Sequence, residues 1–409
     1  MNESSPTPTT STTATNGPLS GLTVLDMTRV LSGPYCTMML ADMGARVIKL
    51  EQPGKGDDTR GWGPPFQNGE SSYFLSVNRN KESLTLDFKQ PEGRQVLDKL
   101  IAGSDVLVEN FRPGTLERQG LGYDAVSALH PRLVYCAISG FGQTGPRSSE
   151  PGYDAVMQGE GGLMSITGPG GGTPYRLGVA IADIVSGMFA AYGVAMGLLA
   201  RERMGRGQFI DVGMLDSVAA LLTYQAGICF ATGQAPPRLG NRHPTIVPYE
   251  TFTASDGDVV VACGNDTLFV KFCAVLEAPA LAKEARFATN KARVENQDAL
   301  RPLLAERLRT RSRGAWLEAL KTAGVPCGAV RDLIEVLEDP QLTERMMVIP
   351  MAHPTAGAIN VMGVPVKMGS TPGGVRTPPP VLGQHNAAIL GELGYDAAGI
   401  AALAQAKVI

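Results

Sequence analysis

Residues 22–51 read LTVLDMTRVLSGPYCTMMLADMGARVIKLE, and the two ends of this stretch decide the fold. LTVLDM and RVIKLE are short apolar runs of strand length, and PYCTMMLADMG between them has the length and pattern of a helix. Two strands joined through a helix run parallel, because a parallel pair needs a crossover connection. The stretch is therefore a β-α-β unit of Rossmann-like character. Its first turn reads TRVLSGPYC rather than G-x-G-x-x-G, which removes the main support for a nicotinamide or flavin cofactor.

The same alternation continues outward. Strands are predicted at SLTLDF, DVLVEN and RLVYCAIS, with a helix from Glu92 to Ala102 between the first two. GRGQFIDVGM supplies a further strand and LDSVAALLTYQAGICFATG a further helix. Each strand ends in a polar or glycine-rich loop, where open α/β sheets place their ligands. Residues 18–225 thus form a large Rossmann-like domain of α/β class. QAPPRLGNRHPT breaks the pattern, so residues 226–245 are read as a linker or active-site loop. YETFTASDGDVVVACG, with Asp256-Gly257 at its turn, is a hairpin. Helices around Asp266 to Glu277, Ala299 to Arg309 and Arg313 to Ala323 complete a smaller α+β domain over residues 246–330. Residues 331–409 are a linker and a C-terminal return to the large domain. Residues 1–17, MNESSPTPTTSTTATNG, lack the charged and apolar regions of a signal peptide and are read as a disordered tail.

Composition narrows the chemistry. The 409 residues carry 36 basic and 39 acidic side chains, with no basic run of the kind that tracks a nucleic acid. The six cysteines show no C-x-x-C spacing and suit reduced thiols in a cytoplasmic protein. The four histidines have no ligand-spaced partner, so no metal is expected, and neither G-x-S-x-G nor a P-loop is found. The apolar run Ile184 to Ala200 is rich in Gly and Ala and lies between predicted strands. It reads as a buried, closely packed helix and not as a membrane span.

At the head of that run, in GVAIADIVSG (residues 178–187), Asp183 is the sole acid between Glu160 and Glu202. A carboxylate there is either an N-cap or a covalent nucleophile toward an activated acyl group. Loops at the predicted strand ends carry Arg60, Arg79, Lys81, Arg112, Arg118 and Arg242, each a surface charge or part of an anion site.

Seven motifs in one order carry a more specific signal: VLDMTRVLSGPYCTMMLADMGARVIKLEQPGKGDDTR, VNRNKESLTLDFKQPEG, DVLVENFRPGTLERQGLGYDAV, ISGFGQTGP, GYDAVMQGEGG, GVAIADIVSG and GRGQFIDVGMLDSV. The series resembles the CaiB/BaiF family of class III coenzyme A transferases from Leu19 to the C-terminus. Within that family VNRNKES, GLMSITGP, TIVPYETF and PPPVLGQH look closest to the succinyl-CoA:glutarate (dicarboxylate) transferases.

The resemblance implies that Asp183 is the nucleophile, passing through a mixed anhydride and an aspartyl-CoA thioester. CoA and acyl-CoA are then substrates, and no cofactor is permanently bound. Val30, Leu86, Lys89, Asn110, Phe111, Arg118 and Tyr153 match the family's CoA contacts, and Tyr153 with Asp154 falls in its active-site element. Leu31 stands where oxalate-specific members have Gln, and their glycine-rich lid has no counterpart. A dicarboxylate acceptor held by Arg79, Arg242 and His243 is therefore expected. Two alternatives are an α-methylacyl-CoA racemase, whose His is replaced here by Tyr153, and a noncatalytic acyl-CoA-binding protein. The resemblance also implies an interlocked-ring homodimer that engages neither nucleic acid nor membrane.

Overall fold

The structure, a computed structural model, describes residues 17–409. The tail expected over residues 1–17 lies, apart from Gly17, outside the described residues. Two compact units make up the chain: one runs to Gly161 and takes in Gly178–Leu222 and Pro340–Ile409, the other comprises Gly162–Leu177 and Thr223–Asp339.

The first unit is built on six strands, β1 (Thr23–Asp26), β2 (Arg46–Glu51), β3 (Lys81–Thr85), β4 (Val106–Glu109), β5 (Val134–Ser139) and β6 (Phe209–Gly213). All pair in parallel, in the order β3-β2-β1-β4-β5-β6. Leu25 lies opposite Ile48 on β2 and Leu107 on β4. The mixed α/β fold with a parallel central sheet thus follows the Val-, Leu- and Ile-rich runs of the sequence. Strand order reverses beside β1, and at such a switch point the connections diverge and leave a crevice beyond the carboxyl ends.

Six helices matter here: α1 (Ser32–Asp42), α2 (Ser72–Val77), α3 (Pro91–Ala102), α4 (Asp154–Glu160), α5 (Ile181–Met204) and α6 (Met214–Ala220). In α3, Pro91 opens the helix and Val96, Leu97, Leu100 and Ile101 form one apolar face. That face shares a core with Leu84, Leu107 and Tyr135 of the sheet and with Ile389, Leu390 and Leu403 near the C-terminus. Helix α5 is long and apolar enough to cross a membrane by length and composition, yet half of its most apolar stretch is buried within the protein. Its glycines allow close approach. A Cβ at Gly187 would lie 2.5 Å from the Ser32 carbonyl oxygen, and one at Gly193 2.9 Å from Ile210. The helix stops at Gly205, whose positive φ of 72° lets its N–H return to the Arg201 carbonyl.

In the second unit, strands Tyr249–Thr253, Asp258–Ala262 and Cys327–Ala329 form an antiparallel sheet, with the Asp256-Gly257 turn between the first two. Helices Asp266–Val275, Gln297–Leu308 and Arg313–Thr322 supply Phe269, Phe272, Leu300, Leu304 and Trp316 to its core.

Two local readings change. The run LDSVAALLTYQAGICFATG is not one helix: it divides into α6 and Thr223–Thr232, with Thr223 at a φ of 37°. Residues 162–177, assigned above to the large domain, and 226–245, assigned to a linker, belong to the second unit. Gly240 donates to the Gly168 carbonyl at 2.9 Å and Arg238 to the Gly172 carbonyl at 2.6 Å.

Candidate active site

Asp183 is the third residue of α5 and sits inside its first turn. It is not the N-cap, which is Ala180 and offers no side-chain bond. The capping oxygen comes from elsewhere in the chain: Asp154 Oδ1 accepts the Ala182 N–H at 2.9 Å. Its Oδ2 accepts from Gln158 Nε2 at 2.8 Å, one turn along α4, and Gln158 is fully buried. Asp154 is held in place by two glycines that pack backbone on backbone. A Cβ at Gly140 would lie 2.7 Å from the Gly152 Cα, and one at Gly152 would lie 2.4 Å from the Gly140 Cα.

The surroundings are apolar. Leu31, Met38 and Val77 form a small core against which Val30, Tyr35, Tyr73, Ala180 and Ile184 pack. Burial raises the Asp183 pKa to about 7, helped by the negative charge of Asp154. Tyr73 on α2 faces the same acids, and its phenol is pushed up to about 12 by burial and then by Asp183, Asp154 and Asp57. Asp183 makes no ion pair with a basic side chain among the described residues. A partly exposed carboxyl that ionises near neutrality, without a cation to hold its charge, is available as a nucleophile.

A cleft of about 710 Å³ opens at the carboxyl ends of the strands beside β1, lined by Thr28, Arg29, Leu86, Lys89, Phe111 and Lys407 among others. Three of the expected CoA contacts, Leu86, Lys89 and Phe111, meet there. Asn110 fixes Arg29, accepting its N–H at 2.9 Å and donating to its carbonyl at 2.7 Å, and the Arg29 guanidinium lies over the Phe111 ring at 5.3 Å. Arg118 is one contact further out, donating to Thr115 Oγ1 at 3.4 Å. Val30, at a φ of 69°, donates its N–H to Asp57 at 3.3 Å, and Asp57 lines the cleft. Tyr153 lies apart from this lining, 66 % exposed at the head of α4.

Beneath the cleft is a buried ionic layer that takes up Lys81 and Arg60, read above as loop cations. Lys81 reaches Asp26 at 3.0 Å, and Lys49 reaches Asp57 and the Thr28 carbonyl, both at 2.9 Å. Arg60 meets Glu51 at 2.7 Å. Burial alone would raise the Asp26 pKa, but Lys81, Lys49 and hydrogen bonds from Thr28 and Thr37 hold it down to about 2. Lys49 in the middle of the apolar run RVIKLE is the sequence signal that such a partner was needed. Glu109 was missed: burial raises its pKa to about 8, although its Oε2 accepts the Phe111 N–H at 2.7 Å.

The three residues expected at the acceptor do not share one environment. Arg79 is 3 % exposed, and its Nε and Nη2 fork onto the Asp42 carboxylate at 3.1 and 2.6 Å. This corrects its assignment to substrate, since the guanidinium is committed to the end of α1. Arg242 and His243 lie in the second unit. The first donates to the Leu239 carbonyl at 3.2 Å and sits 3.8 Å from exposed Asp298. His243 lies between the rings of Tyr224 and Tyr249, both 5.3 Å away, and burial lowers its pKa.

A crevice at the switch point of a parallel sheet, with an uncompensated carboxyl at a helix start, suits an enzyme of covalent acyl transfer. The sequence profile of CoA-transferase family III matches residues 19–386, and the chain belongs to that family. Succinyl-CoA:glutarate CoA-transferase of Homo sapiens is 43 % identical over 393 residues, 96 % of this chain and 90 % of that protein. Acetyl-CoA:oxalate CoA-transferase of Acetobacter aceti is 43 % identical over 353 residues, 86 % and 89 % of the two chains. The crystal structure of a CaiB/BaiF family protein from Brucella suis superposes with a TM-score of 0.83 at 42 % identity, covering 92 % of this chain and all of that one.

Proposed function

We propose that this CoA-transferase moves CoA from succinyl-CoA to glutarate through covalent intermediates on Asp183. One observation carries the mechanism: a carboxyl raised to about 7 by burial and by Asp154, with no ion-pair partner among the described residues. The human relative's name carries the substrates.

An Asp183 oxygen attacks the succinyl-CoA carbonyl and the C–S bond breaks, giving an aspartyl succinyl anhydride and CoA thiolate. The thiolate attacks the Asp183 acyl carbon, forming an aspartyl-CoA thioester and releasing succinate. Glutarate attacks that thioester and expels the thiolate, which attacks the glutaryl carbonyl of the second anhydride. Glutaryl-CoA leaves and the Asp183 carboxylate is regenerated. Each intermediate remains activated, so the exchange needs no ATP, and the apolar surround keeps water from hydrolysing it.

The switch-point order of the sheet supports a Rossmann-like CoA site. Val30, Leu86, Lys89, Asn110, Phe111 and Arg118 serve the body of CoA, and Tyr153 and Asp154 serve the thioester end. Racemisation would need a positioned base where Tyr153 stands, so that reading lacks its chemistry. The enzyme acts as an interlocked homodimer in the cytoplasm, a setting that suits its free cysteines.

Asp183→Ala should lower exchange at least about 1,000-fold while CoA binding and thermal unfolding change little. Borohydride or hydroxylamine trapping with succinyl-CoA should label Asp183 in a mass-spectrometric digest. An unlabelled Asp183 at saturating thioester would point instead to a protein that only binds acyl-CoA. In a crossed panel of acceptors, glutarate should outrun oxalate and monocarboxylates, and a uniform preference for monocarboxylates would overturn the substrate assignment.

A further inference from the structure

We propose that Lys407 is a specificity residue for CoA, its ammonium binding the 3′-phosphate at the adenosine end of the molecule. The inference rests on the reading of the cleft beside β1 as the CoA site, and it names a residue that no motif of the sequence marked.

Lys407 follows the last helix, Ala397–Gln405, whose C-cap is Ala406. Its N–H donates to the Ala404 carbonyl at 3.0 Å, and the Val408 N–H donates to the Leu403 carbonyl at 2.9 Å, the paired bonds of a Schellman motif. Leu403 and Val408 are both buried in the core of the first unit and supply the apolar contact of that motif. The motif puts its left-handed residue at 407, where φ is 58°. Glycine takes this conformation without steric cost, so a lysine is not what the turn itself selects. A misfit of this kind points to a use for the side chain.

Lys407 lines the cleft together with Lys89, and the segments that carry them are tied to one another. The Asp87 N–H donates to the Val408 carbonyl at 2.7 Å, and Gln90 Nε2 donates to the Lys407 carbonyl at 3.3 Å. The acids in the lining are already engaged. Glu51 meets Arg60 at 2.7 Å, Asp57 meets Lys49 at 2.9 Å, and Asp87 accepts from the Lys89 N–H and from Gln90 Nε2, both at 3.1 Å. The lysines in ion pairs among the described residues are Lys49, Lys55, Lys81 and Lys291, so the ammoniums of Lys89 and Lys407 have none. Two unpaired ammoniums on adjoining segments suit a doubly charged phosphate monoester.

Position along the cleft agrees with this. Thr28, Arg29 and Val30 follow β1 and lead into Leu31, part of the small core against which Ile184, next to Asp183, packs. Lys89 comes from the loop after β3, two strands away at the edge of the sheet. CoA is a long molecule with its thiol at one end and its 3′-phosphate at the other. With the thioester at Asp183, the far phosphate falls at the β3 end of the cleft.

The test is calorimetric titration with CoA and with 3′-dephospho-CoA on the wild type, Lys407→Gly, Lys407→Arg and Phe111→Ala, with Tm measured for each. Glycine suits the left-handed turn, so in Lys407→Gly the Tm should hold or rise while the Kd for CoA increases about tenfold and that for 3′-dephospho-CoA less than about twofold. In the exchange assay the loss should fall on the KM for succinyl-CoA and not on kcat. Lys407→Arg, which keeps the charge, should keep the preference for CoA over its dephospho form. An equal loss for both ligands overturns the 3′-phosphate contact, and so does a loss that comes only with a falling Tm. An unchanged Kd for CoA in Lys407→Gly, with CoA weakened in Phe111→Ala, overturns the role of Lys407 and leaves the cleft as the CoA site. CoA binding unchanged in both variants overturns the reading of the cleft and this inference with it.

Discussion

Asp183 ionises near neutrality because it is buried beside a second carboxylate, and that environment weakens the fold. Its pKa is raised to about 7 by burial first and Asp154 second, against an ordinary value of 3.8. A group raised in this way favours the folded state fully below its unfolded pKa, and that contribution is lost as pH climbs toward the folded value. The loss therefore runs from about pH 4 to pH 7. Asp183→Asn, neutral at every pH, should match the wild type in stability at pH 4 and exceed it by about 2 kcal/mol at pH 8. Urea unfolding at the two pH values measures this, and an equal difference at both would contradict the assigned cause. Trading stability for a strained reactive group is common at active sites. Here the loss sits beside Asp154, which at least contributes the cap, a bond of about 1 kcal/mol.

At the scale of elements, most strands were legible because β1, β2, β4 and β5 carry short Val-, Leu- and Ile-rich runs, as parallel strands covered on both faces do. What the sequence could not show is where long-range partners fall. The N-terminal turn of α5 is capped by an aspartate 28 residues earlier, and Arg79 is claimed by Asp42 from 37 residues away. Neither spacing has a local signature. The break between α6 and Thr223–Thr232 was hidden for a related reason: it contains neither Pro nor Gly, and Thr223 takes the positive φ itself. Of the candidate site, the motifs marked Asp183, Tyr153 and Asp154, together with Lys81 and Arg60 as loop cations, whereas the acids that pair with those two cations, Asp26 and Glu51, were not marked. The Gly140–Gly152 contact belongs to the same class of hidden constraint, and it makes a sharp prediction. Gly152→Val would place three carbons where 2.4 Å is available to the first, pushing α4 and the Asp154 cap off α5. We expect a stability loss of about 2 kcal/mol and a kcat loss beyond tenfold, whereas Gly145→Ala, with open space around it but a positive φ, should cost stability alone. Denaturant midpoints and kcat measured on both variants decide it.

At the scale of the whole molecule, α5 raises a question that one chain does not answer. Its inner face, with Ala190, Ala191, Val194 and Leu198, is buried as a core helix should be. Its outer face carries Met188, Phe189, Tyr192, Met196 and Leu199, all exposed, and Tyr192 is 64 % so. At 100° per residue these five fall within a single arc of the helix, so they form one continuous apolar stripe and not scattered surface residues. A helix apolar on both faces is stable in water only when both are covered. In the proposed homodimer a second copy of the chain would supply that cover. Interlocked rings add a stronger expectation, because linked chains do not part on dilution without unfolding. Sedimentation from micromolar to low nanomolar protein should therefore show dimer throughout. Tyr192→Glu combined with Met196→Glu should place two charges in the covered stripe, lowering Tm and yielding aggregate in place of active monomer. A stable, active monomer at any concentration would leave the stripe unexplained and remove the dimer from the proposal.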